Sequence, residues 1–462
     1  MESVLKIKLD VSPEIERILD GQSKICNWLY NQLVQTANDL RTKYRKTQDP
    51  LVAQTLYTKY GLRNLIPGLK KQFPFLKSVH SEPLKNAALR LTSAIKDYQD
   101  SKRGRSQKKQ CGWPKFRSWG KKWFSMKYTE PFVGYKLKES LLKLSLGKDE
   151  KGKQIRVSIR LAEPMPKYFF KSKVKNLRIV KSGKVFYAVF GVERPLEIRE
   201  PKQTESPKVI ALDPNHKNLA YGVDTTGEAI EIENLWFRQV LDKRIDAVKS
   251  KRDQCKRKSV KFVREDKSEA WKPSRRWNYL NILVQELYRV RQEQTKTALY
   301  TLANALFKSY DIVSCGDYVP QVELAPFRRM RRKMLNQSCI GAFRNSLEWI
   351  AKRSGRTFWA WPEKGSTRTC FDCKHIIKDG IPPAIREWDC PNCHVHHIRD
   401  ENSAENGLER TLNNFQLPGS GHRVLSRCAW RFTGSGIARY QRACGSSVLM
   451  DVSSFQEFKS NT

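Results

Sequence analysis

Four cysteines and a handful of acids are the residues of this 462-residue chain best placed to do chemistry. Cys370, Cys373, Cys390 and Cys393 follow the pattern C-x₂-C-x₁₆-C-x₂-C, the spacing of a tetrahedral four-cysteine zinc site. Each Cys-x-x-Cys turn can bring two thiolates to ~2.3 Å from one ion. Four thiolates leave no open coordination position, so a zinc held this way is structural. His394, His396 and His397 lie beside the second pair and read as surface or phosphate-contacting residues rather than as an extra ligand. The other seven cysteines (Cys26, Cys111, Cys255, Cys315, Cys339, Cys428 and Cys444) show no ligand spacing. This usage suits a reducing compartment and a metal better than a disulfide framework.

The acids stand at the ends of predicted elements. Asp213 closes the apolar run Val209–Leu212, Asp317 closes Ile312–Gly316, Glu363 follows Thr357–Trp361, and Asp400 follows Arg399 at the start of a helical pattern. Acids on separate elements of a mixed sheet can converge on two divalent ions, which clamp the attacking and leaving oxygens of a phosphodiester during in-line displacement. Magnesium suits carboxylates plus substrate phosphate because it keeps much of its water shell. One acid after a strand is ordinarily a solvated turn cap. The order strand–acid–turn–strand, helical insert, strand–acid, helix, zinc ribbon, Arg-Asp–helix is far more specific. It reads as a metal-dependent nuclease site with a zinc ribbon spliced into it. The second acid is either Asp317 or Glu363.

Several elements must position these groups. Residues 1–10 alternate apolar and polar and predict a strand. Ser12-Pro13 opens a helix, and further helices are predicted over Asp49–Tyr60 and Glu82–Asp100 from their 3.6-residue periodicity. Residues 130–200 carry short alternating runs between Gly and Ser turns and predict a small barrel or sandwich. The proline-bearing linker EIREPKQTESPK marks a boundary near residue 205. Residues 235–309 read as helical with a break near Lys272-Pro273, and the arm within them carries mainly cations on its polar face. It reads either as an exposed charged helix pair or as a clamp for nucleic acid. Helices are also predicted over Cys339–Arg353 and from Asp400 along Ala404, Leu408 and Leu412. The stretch beyond Asn413 is Gly/Ser-rich and reads as a tail without an assigned role.

The charge names the partner. With 87 Lys+Arg against 47 Asp+Glu, the formal net charge is +40, a self-repulsion that a polyanion relieves. Apolar content of 39% with 12 Trp and 20 Phe is enough for packed cores, so global disorder is excluded. No apolar run approaches the ~18 residues of a membrane span, and the N-terminus is not patterned as a signal peptide. Residues 101–128 interleave cations with aromatics, including Lys108, Lys109, Trp113, Lys115, Phe116, Arg117, Lys121 and Lys122. Cations can meet phosphates while rings stack on bases. The competing reading is a loop whose rings anchor it to the core.

The runs ALDPNHKNLAYGV at 211–223, GSTRTCFDCKH at 365–375 and REWDCPNCHVHHIRDENSAENGLER at 386–410 resemble conserved motifs of one family. The first is similar to the first RuvC motif of transposon-encoded TnpB proteins and of their descendants, the type V CRISPR effectors. The others are similar to their zinc ribbon and third RuvC motif, and CGWPKFRS at 111–118 to a segment before their β-barrel. The resemblance implies a multidomain α+β and α/β fold. Its expected parts are an N-terminal strand and helical recognition lobe over 1–128, inserted in or beside a wedge-like β-barrel over 129–204, and a RNase H-like RuvC domain over 205–366 and 397–412. A zinc ribbon over 367–396 would interrupt that domain, and a tail would follow over 413–462.

It also implies a guide RNA, a double-stranded DNA target, structural Zn²⁺ and two catalytic Mg²⁺, and a cytoplasmic prokaryotic protein acting at the nucleoid. Carried over, Asp213 matches the first catalytic acid and Asp400 the third, while Arg399 would contact phosphate or orient Asp400. The second acid departs from the pattern: Gly316 stands where the family's glutamate is expected. Some TnpB relatives and the eukaryotic Fanzor proteins carry it instead just before the first cysteine pair, which here is Glu363. We take Glu363 over Asp317, whose side chain is one methylene shorter and one position off. Gly316 also motivates an alternative, an RNA-guided DNA-binding protein that has lost cleavage. A zinc-ribbon RNA-binding protein without a guide is the third reading.

Overall fold

The computed structural model describes residues 2–105, 111–118, 123–149, 151–195, 206–263, 269–319, 331, 334, 338–382, 384–419, 424–442 and 449–450. Two compact units divide the chain, Met1–Pro195 and Leu196–Thr462.

In the first unit β1 (Glu2–Asp10) is followed by α1 (Pro13–Thr47), α2 (Pro50–Tyr57), α3 (Gly61–Asn64), α4 (Ile66–Gln72) and α5 (Ser81–Lys102). The start of α1 is the one read from sequence: the Ile15 N–H donates to Ser12 Oγ at 3.3 Å, Pro13 takes the first position, and Glu14 and Glu16 face the helix dipole. Strands β2 (Met126–Tyr128), β3 (Tyr135–Lys138), β4 (Leu141–Lys148), β5 (Gln154–Leu161), β6 (Lys173–Ser182) and β7 (Val185–Glu193) then join β1 in one sheet, in the order β2-β6-β7-β1-β5-β4-β3. β1 lies in the middle, with Leu5 opposite Phe190 and Leu9 opposite Leu161. The helices are therefore an insertion between the central strand and an edge strand. This corrects the expected division at residue 128, since β1 and β2 belong to the sheet. One apolar core joins Leu29 and Leu33 of α1, Leu91 and Ile95 of α5, and Leu144, Leu177 and Phe190 of the sheet.

The second unit is built on an eight-stranded sheet. β8 (Val209–Asp213), β9 (Ala220–Asp224) and β10 (Glu228–Ile232) form an antiparallel meander. α6 (Trp236–Gln254), a hairpin of β11 (Val260–Val263) and β12 (Glu269–Lys272), and α7 (Arg275–Ser309) follow. Next come β13 (Ile312–Gly316), α8 (Ile340–Ser354) and β14 (Thr357–Trp361), then the ribbon hairpin of β15 (Glu387–Asp389) and β16 (His396–Ile398), and α9 (Arg399–Asn414). β17 (Ser426–Phe432), β18 (Ile437–Arg442) and β19 (Leu449–Met450) close the chain. The sheet order is β14-β13-β8-β9-β10-β17-β18-β19. The stretch after 412 is therefore no separate tail: β17 pairs parallel with β10, and β18 and β19 extend the sheet beyond it.

β8, β13 and β14 run parallel, so Asp213, Gly316 and Trp361 end at the same edge. Both faces of β8 are covered, as parallel strands require. Ile210 and Leu212 pack with Leu299 and Leu302 of α7 and Phe343 and Leu347 of α8. Val209 and Ala211 pack with Ala404, Leu408 and Leu412 of α9. α9 can approach because of Gly407: a Cβ there would lie 2.6 Å from the buried Trp361 indole. That indole donates its N–H to the Leu212 carbonyl at 3.2 Å, locking β14 to β8 one residue before Asp213.

Candidate metal centres and nuclease site

Carboxyl edges of parallel strands are where ligand-binding groups gather in mixed sheets. Asp213 is the last residue of β8 and is buried. Its Oδ1 accepts a hydrogen bond from Ser403 Oγ at 3.0 Å, and Ser403 Oγ lies 2.8 Å from Ser366 Oγ, so α9 and the neck of the ribbon both brace it. Burial, followed by the charges of Glu363 and Asp400, raises the Asp213 carboxyl well above the ordinary range. Two of the predicted acids thus act on the third through space.

Glu363 follows β14 across one proline. Burial first, then the charge of Asp317, pushes its carboxyl up to about 7. The Tyr318 backbone N–H donates to it, and Arg344 and Arg399 pull the other way. Glu363 Oε2 is buried and has no hydrogen-bond partner, and the same holds for Arg399 Nε. Gly316 explains how the carboxylate gets there. A Cβ on Gly316 would overlap Glu363 Oε2 and stand 3.0 Å from Pro214 Cδ. The glutamate therefore fills the space that a side chain at 316 would take. Arg344 of α8 fixes the backbone beneath it, donating to the carbonyls of Gly316 at 3.2 Å and Tyr318 at 2.9 Å.

Asp317 is tied into the turn between the strands. Its Oδ1 accepts the Glu363 backbone N–H at 3.0 Å, and its own N–H donates to the Trp361 carbonyl at 3.0 Å. It caps the turn that delivers Glu363. Asp400, in the first turn of α9, is buried and accepts from Arg386 Nη1 at 3.1 and 3.2 Å. Sequence reasoning missed Ser403, Ser366, Arg344 and Arg386. Only the small polar run Asn402-Ser403 after Asp400 hinted at the first.

The four predicted cysteines come together with all sulfurs within 4.8 Å of one another. Cys370 and Cys393 Sγ are 3.7 Å apart, Cys373 and Cys390 Sγ 3.6 Å. A tetrahedron with ~2.3 Å metal–sulfur bonds has its sulfurs about 3.8 Å apart, whereas a disulfide needs ~2.05 Å. The donor set thus fits one metal ion of zinc's size and is too wide for disulfides. The Asn392 side chain and the His375 backbone N–H hold the Cys373 thiol down to about 6, which favours the ligating thiolate. His397 is buried, stacked on Trp388 at 4.7 Å, with Nε2 3.1 Å from Cys370 Sγ and 3.6 Å from Asp372. It is a neighbour of the ligands, not the surface residue expected. Among the described residues no set of three acids is as tightly grouped as the cysteines.

The basic-aromatic segment divides. The Trp113 indole donates to Asn38 Oδ1 at 2.7 Å, and Arg117 Nε to Asn27 Oδ1 at 2.7 Å, while the Arg117 backbone exchanges bonds with Asn31. Trp113 and Arg117 are thus tied to α1 through the indole N–H, the Arg117 Nε and the Arg117 backbone. Lys115 and Phe116 remain exposed. Lys108, Lys109, Lys121 and Lys122 lie outside the described residues.

The raised carboxyls set a pH dependence. A divalent ion bound at Glu363 would have to displace its proton, so such binding would weaken as pH falls below about 7 and level off above it. Titration with Mn²⁺, followed by electron paramagnetic resonance, should show this break in the wild-type chain and not in Glu363→Ala.

A family model described as Cas12f1-like, TNB domain matches residues 341–406, the span from α8 through the ribbon into α9. Two curated relatives from Mycobacterium tuberculosis, strains CDC 1551 / Oshkosh and H37Rv, are named as RNA-guided DNA endonucleases. Each is 24% identical over 259 residues, covering 54% of this chain and 53% of the relative. The chain spans about half the length of the curated relatives it matches. A solved Cas12f1–sgRNA–target DNA complex superposes with a TM-score of 0.53 at 12% identity, covering 89% of this chain and 99% of that one. The fold is therefore that of a Cas12f1-type effector, mixed α/β with a four-cysteine cluster. The domain match over 341–406 and the fold are thus both similar to those of small Cas12f1-type effectors. No helix among the described residues is long and apolar enough to cross a membrane.

Proposed function

We propose that this chain is an RNA-guided DNA endonuclease of the TnpB and type V kind, cutting guide-matched double-stranded DNA by metal-assisted phosphodiester hydrolysis. One observation carries the reading: the Glu363 carboxylate occupies the space of the missing side chain at Gly316, in the electrostatic field of Asp213. A glutamate moved to the neighbouring strand thus reaches the edge where the RuvC reading needs one. Magnesium bound there would activate water and neutralise charge on the leaving oxygen. Asp213, Glu363 and Asp400 would hold it, with waters completing the shell, so the carboxylates need not converge as tightly as thiolates.

The chain's own residues then have definite tasks. Ser403 orients Asp213 from one side, and Arg344 holds the loop whose Tyr318 N–H orients Glu363. Arg399 offsets the acids' repulsion and would reach a substrate phosphate. Zinc would close the four-thiolate site and take no part in the chemistry. The seven-stranded sheet and the inserted helices would serve as wedge-like barrel and recognition lobe, and the second unit as a RuvC domain. A guide RNA would read the target by pairing while the protein reads shape and a flanking motif. The site of action would be the prokaryotic cytoplasm and its nucleoid.

Sequencing the RNA that co-purifies from the native locus, then cleavage of a matching duplex with Mg²⁺, tests the reading. A discrete guide and Mg²⁺-dependent cutting are expected. A discrete guide with binding but no cutting would replace it by the cleavage-deficient targeting protein. Only heterogeneous cellular RNA would refute guided action altogether.

A further inference from the structure

The arm of α6 and α7 ends in a feature that the helical reading of residues 235–309 did not foresee. β11 and β12 form a sheet of two strands only, with Val260 opposite Lys272, Lys261 opposite Trp271 and Phe262 opposite Ala270. Residues directly opposite share a face. Val260 and Phe262 therefore lie on one face and Val263 and Trp271 on the other. Both faces are open: Val260 is 63% exposed, Val263 65%, Phe262 45% and Trp271 50%. An isolated two-stranded hairpin is marginal in water, and apolar side chains on both faces give it nothing of its own to pack on. The surrounding charge says what covers it. Lys256, Arg257, Lys258, Lys261 and Lys272 are all exposed, and Lys256 Nζ sits 5.9 Å from the Trp271 ring. Among these residues only Lys261 has a described carboxylate partner, Glu269. A protein partner would have to desolvate these cations, whereas a polyanion with flat apolar rings satisfies both sets of groups.

We infer that this hairpin is a stacking platform for unpaired nucleotides, with Trp271 and Phe262 against bases and the flanking lysines and arginine against phosphates. The inference rests on the nucleic-acid partner proposed above and adds a surface to it, remote in sequence from the acids and the ribbon.

The test uses the full chain and its Phe262→Ala/Trp271→Ala variant, with oligo(dT), a DNA duplex and anionic phosphatidylserine vesicles as probes. Affinity for oligo(dT) should drop about 10-fold or more, since each stacked base contributes measurably, while duplex binding stays unchanged. The conservative pair Phe262→Tyr/Trp271→Phe should retain wild-type affinity, which separates loss of rings from loss of the hairpin. Equal losses on oligo(dT) and duplex, or no loss on either, would overturn the assignment. So would a loss confined to vesicles, which would make the hairpin a membrane contact. Wild-type protein that binds no oligonucleotide removes the parent reading as well; wild-type binding with an unaffected variant removes this one alone.

Discussion

Glu363→Ala is expected to cut guide-matched DNA more than ~100-fold slower than wild type, because changing even an outer-shell partner of a metal ligand costs about 10–100-fold. The informative variants are those at Gly316. Gly316→Glu alone should also be nearly inactive: its Cβ falls on Glu363 Oε2, and Pro214 blocks retreat on the other side. Glu363 can swing away, so the fold survives, but both carboxylates cannot share the buried site without strong mutual repulsion. In the double variant Gly316→Glu/Glu363→Ala the space is free, and part of the lost activity should return. Steady-state cleavage of one guided substrate by the four proteins forms a double-mutant cycle. A large coupling of opposite sign to the single effects is the expected result. If the double variant is as dead as either single one, strand β13 cannot present a carboxylate here and the space-filling argument is wrong. If Glu363→Ala cuts normally, Glu363 holds no catalytic ion. Asp317→Asn separates the remaining candidate: it keeps an oxygen to cap the Glu363 N–H and should retain most activity.

The sequence told more about which groups matter than about how they are held. The cysteine spacing names its site because ligand geometry fixes the turn. The strand end at Asp213 and the helix start at Asp400 were legible from an apolar run and a helical pattern, and Thr357–Trp361 from a short apolar, aromatic-rich run. Glu363 was legible only beside a family pattern, since a single acid after Trp361-Pro362 carries no periodicity. What escaped reading is long-range. β1 belongs to the middle of a sheet whose next strand in sequence begins at Met126, and no local rule pairs Leu5 with Phe190. The strands after Ser426 looked like a tail because Cys428, Trp430 and Phe432 join a core only once β17 pairs with β10. The anchored-loop reading of residues 101–128 gains its partners only in the structure, because composition does not reveal that Asn27, Asn31 and Asn38, spaced along one side of α1, meet Trp113 and Arg117.

Removing the zinc that the four thiolates would hold is expected to abolish cleavage although a closed four-thiolate site has no open position for substrate. The ribbon's own core is minute: Cys370, Trp388 and Cys390 are buried, with Ile377 and Ile381 half covered. Burying one large side chain is worth about 1.5–3 kcal/mol, against an apparent ~10–16 kcal/mol for a structural zinc ion, so the metal decides whether this segment folds. What folds with it is the first turn of α9. That helix has no side-chain N-cap; its start is Ile398, which pairs with Glu387 in the ribbon hairpin, and the Arg399 N–H donates to the Arg386 carbonyl at 2.7 Å. Asn402 and Asn406 tie the same helix to the Ser366 and Thr369 carbonyls, and Asn402 accepts the Phe371 N–H at 2.9 Å. Asp400 sits in that first turn and Ser403, which braces Asp213, one residue beyond Asn402. A displacement of ~1 Å at a reacting site can cost about 100-fold, and an unfolded ribbon releases Asp400 by more than that. Chelator-treated protein, or Cys390→Ser, should therefore lose hydrogen-exchange protection over 366–403 and lose guided cutting together, while the buried strands β8 and β13 stay protected. Zn²⁺ added back to the chelated wild type should restore both. Cutting that persists while 366–403 exchanges freely would show that the ribbon does not position Asp400, and the acid would have to be held by α9 and the sheet alone.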